Sequence, residues 1–325
     1  MTLKEIDKGI YTQDSITSEI ADIDGIIFDC DGVLVDVSNS YDLAIQRTTA
    51  YILKEIAGIP KFDPVTSKII EGFKATGGFN DEVDLTYVSI LSLVAADNLN
   101  KKGSQFIFEV IKNADQTGIK SVEKFLEKSN AGITKIKQQL AYPGPRDSNP
   151  LCSIFDQLFY GPELYFKLFN KKSNFSDQGL IENDVVLVKK ELLAKLKKKF
   201  DKKIAIVSGR GIESIRYSLK ELLEEFNVKN SMFLEDEPRE LGKPNPASLF
   251  RTLNGIGCSH CLYVGDSMED FIMAQKATEM GKKTTFCGII GTSKFPEEKK
   301  KFFEEKNVPL IVNSIELLPK VLNLV

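Results

Sequence analysis

Two aspartates, Asp29 and Asp31, stand two apart in "DGIIFDCDGVLVD" (residues 24–36), where an apolar run ends and Gly32 follows. Like charges so close to a buried segment are costly unless something uses them. Three chemistries compete for the pattern. "DG" between apolar runs is a hairpin signal. Alternating acids before a glycine can hold calcium, but that loop wants three acids; here Gly32 comes too early and Val33 takes a ligand position. The third reading is a catalytic pair, with one carboxylate as nucleophile and the other moving the leaving group's proton. The hairpin and catalytic readings both survive the stretch taken alone.

Other candidates follow along the chain: Ser208 in "IVSGR", Lys243 in "LGKPNP", and Asp266 and Asp270 in "VGDSMED". Each has an ordinary structural reading. Ser208 could end a strand, Lys243 could be a solvated loop lysine, and the two acids could match a helix dipole. His260 is the only histidine, so a Ser-His-Asp or Cys-His mechanism would have to use it. It sits in "CSHC" (residues 258–261), which lacks the second ligand pair of a zinc site. A turn leading into a strand is the simpler reading.

These residues need elements to hold them. Four short apolar runs share one design: "GIIFD" ends in Asp29, "KIAIVS" in Ser208, "CLYVGD" in Asp266, and "VPLIVNS" in Asn313 and Ser314. Runs of this length bounded by charge or glycine suit strands buried on both faces. Between the later runs, "GIESIRYSLKELLEEF", "PASLFRTLNGIG" and "SMEDFIMAQKATEMGK" have helical spacing. Alternating strands and helices predict an α/β fold with a parallel sheet, whose ligand site lies beyond the strands' carboxyl ends. Asp29, Ser208 and Asp266 are at those ends.

Residues from about 37 to 184 differ. "SYDLAIQRTTAYILKEIAG", "VDLTYVSILSLVAADNL", "QFIFEVIKNADQ", "SVEKFLEKS" and "GPELYFKLFNKK" are helix candidates, with "TGGFND" and "AYPGPRDSNP" as loops and no strand-like run between. This predicts an inserted helical domain at 37–184, within an α/β core formed by 1–36 and 185–325. Residues 1–21 read as an N-terminal extension. The lysine-rich "KKELLAKLKKKFDKK" alternates with leucine as a solvated helix face does.

At 325 residues the chain exceeds one typical core. A net charge of −3 gives no general attraction to nucleic acid or anionic lipid. No apolar run is long enough for a membrane helix, and the acidic N-terminus does not read as a secretory signal. Five scattered cysteines suit reduced thiols and a cytoplasmic location.

The four motifs, in this order and at strand ends, resemble those of the haloacid dehalogenase-like hydrolases: DxDG[TV], a Ser or Thr after the second motif strand, a lysine, and GDxxxD. The resemblance covers residues 22–36 and 185–325. It implies a Rossmann-like doubly wound core with an all-helical type-1 cap, here longer than usual. It further implies a phosphatase using Mg²⁺ on a small phosphorylated metabolite. Asp29 would be the nucleophile, Asp31 the acid and base, and Lys243 the neutralising cation. Ser208 and Gly209 would bind phosphate, and Asp29, Asp31 (through its carbonyl), Asp266 and Asp270 would serve the metal. Asp31 itself argues for phosphate esters, since a halide leaves without needing a proton. A phosphonate hydrolase would need a cap lysine such as Lys54 or Lys74, and nothing in the sequence marks either as desolvated. Sugar phosphomutase activity, or a non-catalytic phosphate-binding module, are the alternatives. Arg210, Lys74 and Asn80 are the expected substrate contacts; Arg146 is another candidate.

Overall fold

The computed structural model describes residues 3–13, 16, 18–79 and 81–324. The chain divides into two compact units, Met1–Ser38 with Val185–Val325, and Asn39–Asp184. The first crossing thus falls two residues beyond the expected 36/37 boundary.

The first unit opens with strands β1 (Lys4–Asp7), β2 (Ile10–Thr12), β3 (Gly25–Phe28) and β4 (Val35–Asp36). The second unit is helical: α1 (Tyr41–Tyr51), α2 (Ser67–Lys74), α3 (Glu82–Asn98), α4 (Gly103–Asn113), α5 (Ile119–Lys128), α6 (Thr134–Leu140) and α7 (Pro150–Phe169). The chain then re-enters the first unit through β5 (Val185–Val186), α8 (Lys190–Phe200), β6 (Ile204–Ser208), α9 (Ile212–Leu219) and β7 (Met232–Phe233). It finishes with α10 (Ala247–Gly255), β8 (His260–Gly265), α11 (Met268–Glu279), β9 (Lys283–Ile289), α12 (Pro296–Glu305), β10 (Leu310–Val312) and α13 (Leu318–Val321).

Eight strands form one sheet in the order β1-β2-β10-β9-β8-β3-β6-β7, while β4 and β5 pair separately. From β10 to β7 every neighbour is parallel. The α/β core is therefore mostly parallel, with β3 at its centre. Ile26, Ile27 and Phe28 are fully buried, as are Ala205, Ile206 and Val207 of β6. Strands covered on both faces have no polar side to show, which is why they read as unbroken apolar runs.

Several elements escaped the sequence reading. The N-terminal extension folds into a hairpin, β1 with β2, that joins the sheet antiparallel to β10. Strand β9 starts with Lys283, Thr284 and Thr285, a polar opening that hid it. The long helix expected over 211–226 stops at Leu219, where Lys220 takes φ +50°, and continues as a tight turn to Glu225. That turn still buries Leu223, so apolar periodicity could not separate the two.

In the helical unit, the expected loop "AYPGPRDSNP" already contains the start of α7. Asn149 caps it by accepting from the Cys152 N–H, and Pro150 occupies the first turn, where no N–H is needed. Gly161, at φ +70°, breaks the helical path partway along. Tyr41 of α1 stacks on Phe159 of α7 with ring centroids 4.3 Å apart.

His260 lies in β8, buried, with Nε2 2.9 Å from Thr285 Oγ1 and Nδ1 buried without a hydrogen-bond partner. Cys258 Sγ instead faces Asp24 Oδ1 at 3.1 Å. Burial lowers the His260 pKa below its ordinary 6.5, and Lys283 adds to this against Glu19, Asp22 and Asp24. The unfolded chain therefore takes up the proton first as pH falls. The associated stability is complete above pH 6.5 and is lost as pH falls through 6.5 toward the native value. His260→Gln should flatten the melting-temperature profile between pH 7.5 and 5.5 by a few degrees; an unchanged slope would remove this assignment.

Candidate active site

Parallel pairing brings the sequence motifs together. Phe28 pairs with Val264 on one side and with Ile206 on the other, and the Asp29 N–H donates to the Val264 carbonyl at 2.8 Å. The carboxyl ends of β3, β8 and β6 thus present Asp29, Asp266 and Ser208 side by side. Ser208 is fully buried, and its Oγ accepts the Arg210 N–H at 3.2 Å.

Asp29 is 3% exposed. Its Oδ1 accepts the Cys30 N–H at 2.7 Å and meets Lys243 Nζ at 2.8 Å. The same ammonium lies 2.7 Å from Asp270 Oδ1. Asp270 is saturated with donors. Tyr263 Oη gives to Oδ1 at 2.7 Å, while Oδ2 takes Ser267 Oγ and the N–H groups of Asp266 and Ser267. The last of these belong to a reciprocal cap on α11, in which Ser267 Oγ accepts the Asp270 N–H. Asp270 is therefore built to hold Lys243 and the loop. Tyr263 was not found from sequence, because a tyrosine inside an apolar strand reads as packing; its burial, which requires a hydroxyl partner, is the signal.

Burial raises the Asp29 pKa well above the usual carboxylate range; Lys243 opposes this, and Asp270, Asp31 and Asp266 add repulsion. Burial works against the charge on Lys243 too, yet Asp270 and Asp29 outweigh it and hold the ammonium above its ordinary value. Asp270 is likewise buried, and Lys243, Ser267 and Tyr263 keep it below the ordinary value.

The motif glycines have a steric reason. A Cβ at Gly32, where φ is +70°, would collide with Asp266 Oδ2. A Cβ at Gly265 would stand 2.6 Å from Asp270 Cβ. Each glycine makes room for a carboxylate of the other motif or of its own. On its outer side, Asp266 Oδ2 meets Lys299 Nζ of α12 at 2.8 Å.

The remaining candidates are placed differently. Arg210 is 2% exposed, with Nε 2.6 Å from Asp31 Oδ1 and Nη1 donating to Ser218 Oγ at 3.0 Å. The guanidinium expected to meet substrate is thus directed to Asp31. Gly209 is exposed beside it. In the helical unit, Lys74 pairs with Glu82 at 3.3 Å, and Arg146 forks onto the buried Asp156 with contacts of 3.0 and 2.5 Å. Asp81 caps α3, and Asn80 lies outside the described residues.

One carboxylate oxygen from each of Asp29, Asp266 and Asp270 lies within 4.8 Å of the others. A largely buried, oxygen-only set with surplus negative charge fits a hard divalent cation.

The parallel sheet thus carries acids and a serine at its strand ends, with Lys243, from the connection between β7 and α10, set against two of the acids. The family model for haloacid dehalogenase-like hydrolases matches residues 23–278, and the chain belongs to that family, whose members generally use a divalent metal. Among solved structures, a phosphatase, Tt82 from Thermococcus thioreducens, superposes with a TM-score of 0.55 at 21% identity, covering 85% of this chain and 98% of that one. That likeness supports the fold. A phosphoglycolate phosphatase predicted for Haemophilus somnus 129PT gives 0.49 at 16% identity, covering 92% and 97%. No curated protein matches the chain. No helix among the described residues is long and apolar enough to cross a membrane.

Proposed function

We propose that the chain is a Mg²⁺-dependent phosphatase that hydrolyses a small phosphorylated metabolite through an aspartyl-phosphate. The observation that carries this is Asp29, buried against Lys243 at 2.8 Å, with Asp31 two residues away and 20% of its side chain exposed. A phosphate-binding module has no use for Asp31.

In this reading an Asp29 oxygen attacks phosphorus while the bond to the ester oxygen breaks, and Asp31 gives that oxygen its proton. Asp31, now a carboxylate, then takes a proton from water as the water attacks phosphorus, and the Asp29–phosphorus linkage breaks. Lys243 balances the negative charge at Asp29 throughout, and Asp270 and Tyr263 hold Lys243 in place. Ser208 Oγ and the Gly209 N–H receive phosphoryl oxygens. Mg²⁺, held by Asp29, Asp266 and the Asp31 carbonyl, would supply the positive charge that four neighbouring carboxylates lack; Asp270 supports that site from behind.

The test is a screen of phosphorylated metabolites with Mg²⁺, following phosphate release. Sugar bisphosphates are included, with product analysis to detect isomerisation. At least one substrate class should release phosphate, turnover should vanish in EDTA, and added Mg²⁺ should restore it. Isomerisation without release, or release that ignores EDTA, would refute the proposal.

A further inference from the structure

Arg210 has no part in the proposed chemistry, yet it is the largest side chain among the described residues with under 2% exposure. Burying a guanidinium is costly unless it is paired and hydrogen-bonded. Its partners are specific. Nε reaches Asp31 Oδ1 at 2.6 Å, and Nη1 donates to Ser218 Oγ at 3.0 Å, two turns into α9. Its own N–H is tied to Ser208 Oγ. A charge pair with Asp31 and a hydrogen bond to α9 thus hold the guanidinium, while the Asp31 side chain remains 20% exposed.

We propose that Arg210 is the positioning residue of Asp31: its guanidinium, 2.6 Å from Oδ1, holds the carboxyl group in one orientation for proton transfer. This rests on the phosphatase reading above. Asp31 stands on the turn after β3, and a free carboxylate there would sample several rotamers. A planar, permanently charged donor anchored on α9 holds it in one. The same orientation serves both steps, in which a proton is given to the ester oxygen and then taken from water. Arg210 acts only through Asp31 and contacts no reacting atom.

Two substrates separate the steps. An alkyl phosphate needs the proton in the first step, whereas 4-nitrophenyl phosphate has a good leaving group and needs Asp31 mainly for the second. Arg210→Met should slow the alkyl ester about 10²-fold. With 4-nitrophenyl phosphate it should release close to one nitrophenol per site in a burst, larger than the parent's, and phosphoenzyme should accumulate on acid quench. Asp31→Asn should show the same signature, and the double variant should be no slower than Asp31→Asn alone. Equal losses on both substrates without trapped phosphoenzyme, or losses that multiply in the double variant, would overturn the proposal. If Asp31→Asn itself lacks the signature, the phosphatase mechanism falls. If it shows the signature and Arg210→Met does not, only the role of Arg210 falls. Should Arg210→Met fail to fold, Ser218→Ala removes just the second anchor; a smaller burst of the same kind supports the clamp, and parent-like kinetics on both substrates overturns it.

Discussion

Asp29→Asn should lose phosphatase turnover by about 10⁴-fold or more, the order expected when a nucleophile is removed, while the fold survives. The amide has the carboxylate's shape but will not attack phosphorus. Stability has a definite sign. Asp29 is buried beside Asp270, Asp31 and Asp266, and their repulsion together with burial outweighs the help from Lys243. A neutral residue relieves that repulsion, and Lys243 keeps its Asp270 partner at 2.7 Å. The melting temperature in EDTA should therefore equal or exceed the parent's, and the rise produced by Mg²⁺ should shrink. Calorimetry with and without Mg²⁺, beside a phosphate-release assay, reads both effects. Retained turnover in the variant would refute the nucleophile assignment.

Lys243→Met has the opposite signature. The ammonium is 1% exposed and is shared between Asp29 and Asp270. Methionine fills similar space but leaves those buried carboxylates without their cation. Breaking a buried ion pair from one side costs about 3–5 kcal/mol, a fall of roughly 10 °C or more for a unit of this size. Turnover should be lost as well. Because the fault is excess negative charge, Mg²⁺ should recover more melting temperature in this variant than in the parent. A variant that melts like the parent in EDTA would show that Lys243 is not the counter-charge of the cluster.

The sequence was most legible where chemistry and burial coincide. β3, β6 and β8 are covered on both faces, so their apolar runs are continuous, and each leads into a residue of the proposed site. Parallel pairing then leaves little freedom in where Asp29, Ser208 and Asp266 meet. What stayed hidden depends on contacts between distant segments. Tyr263 reads as packing until Asp270 is found against its hydroxyl. Arg210 reads as a substrate contact, because its place in the chain, two residues past Ser208, does not say that its side chain turns toward Asp31. Lys299 lies in a charged run, "EEKKKFFEEK", where nothing separates it from its neighbours until α12 brings it to Asp266. β1 and β2 are only four and three residues long, and only their pairing with each other and with β10 makes them strands.

That N-terminal hairpin also governs how the sheet ends. Without it, β10 would offer a row of unpaired main-chain groups; with it, the margin becomes β1, "KEID", which is charged and exposed and whose register shifts between Glu5 and Asp7. The far margin, β7, is two residues long. A strand from another molecule finds too few bonds at one side and too irregular a ladder at the other. Self-association of this chain through continued pairing of the eight-stranded sheet is thereby disfavoured at both of its margins.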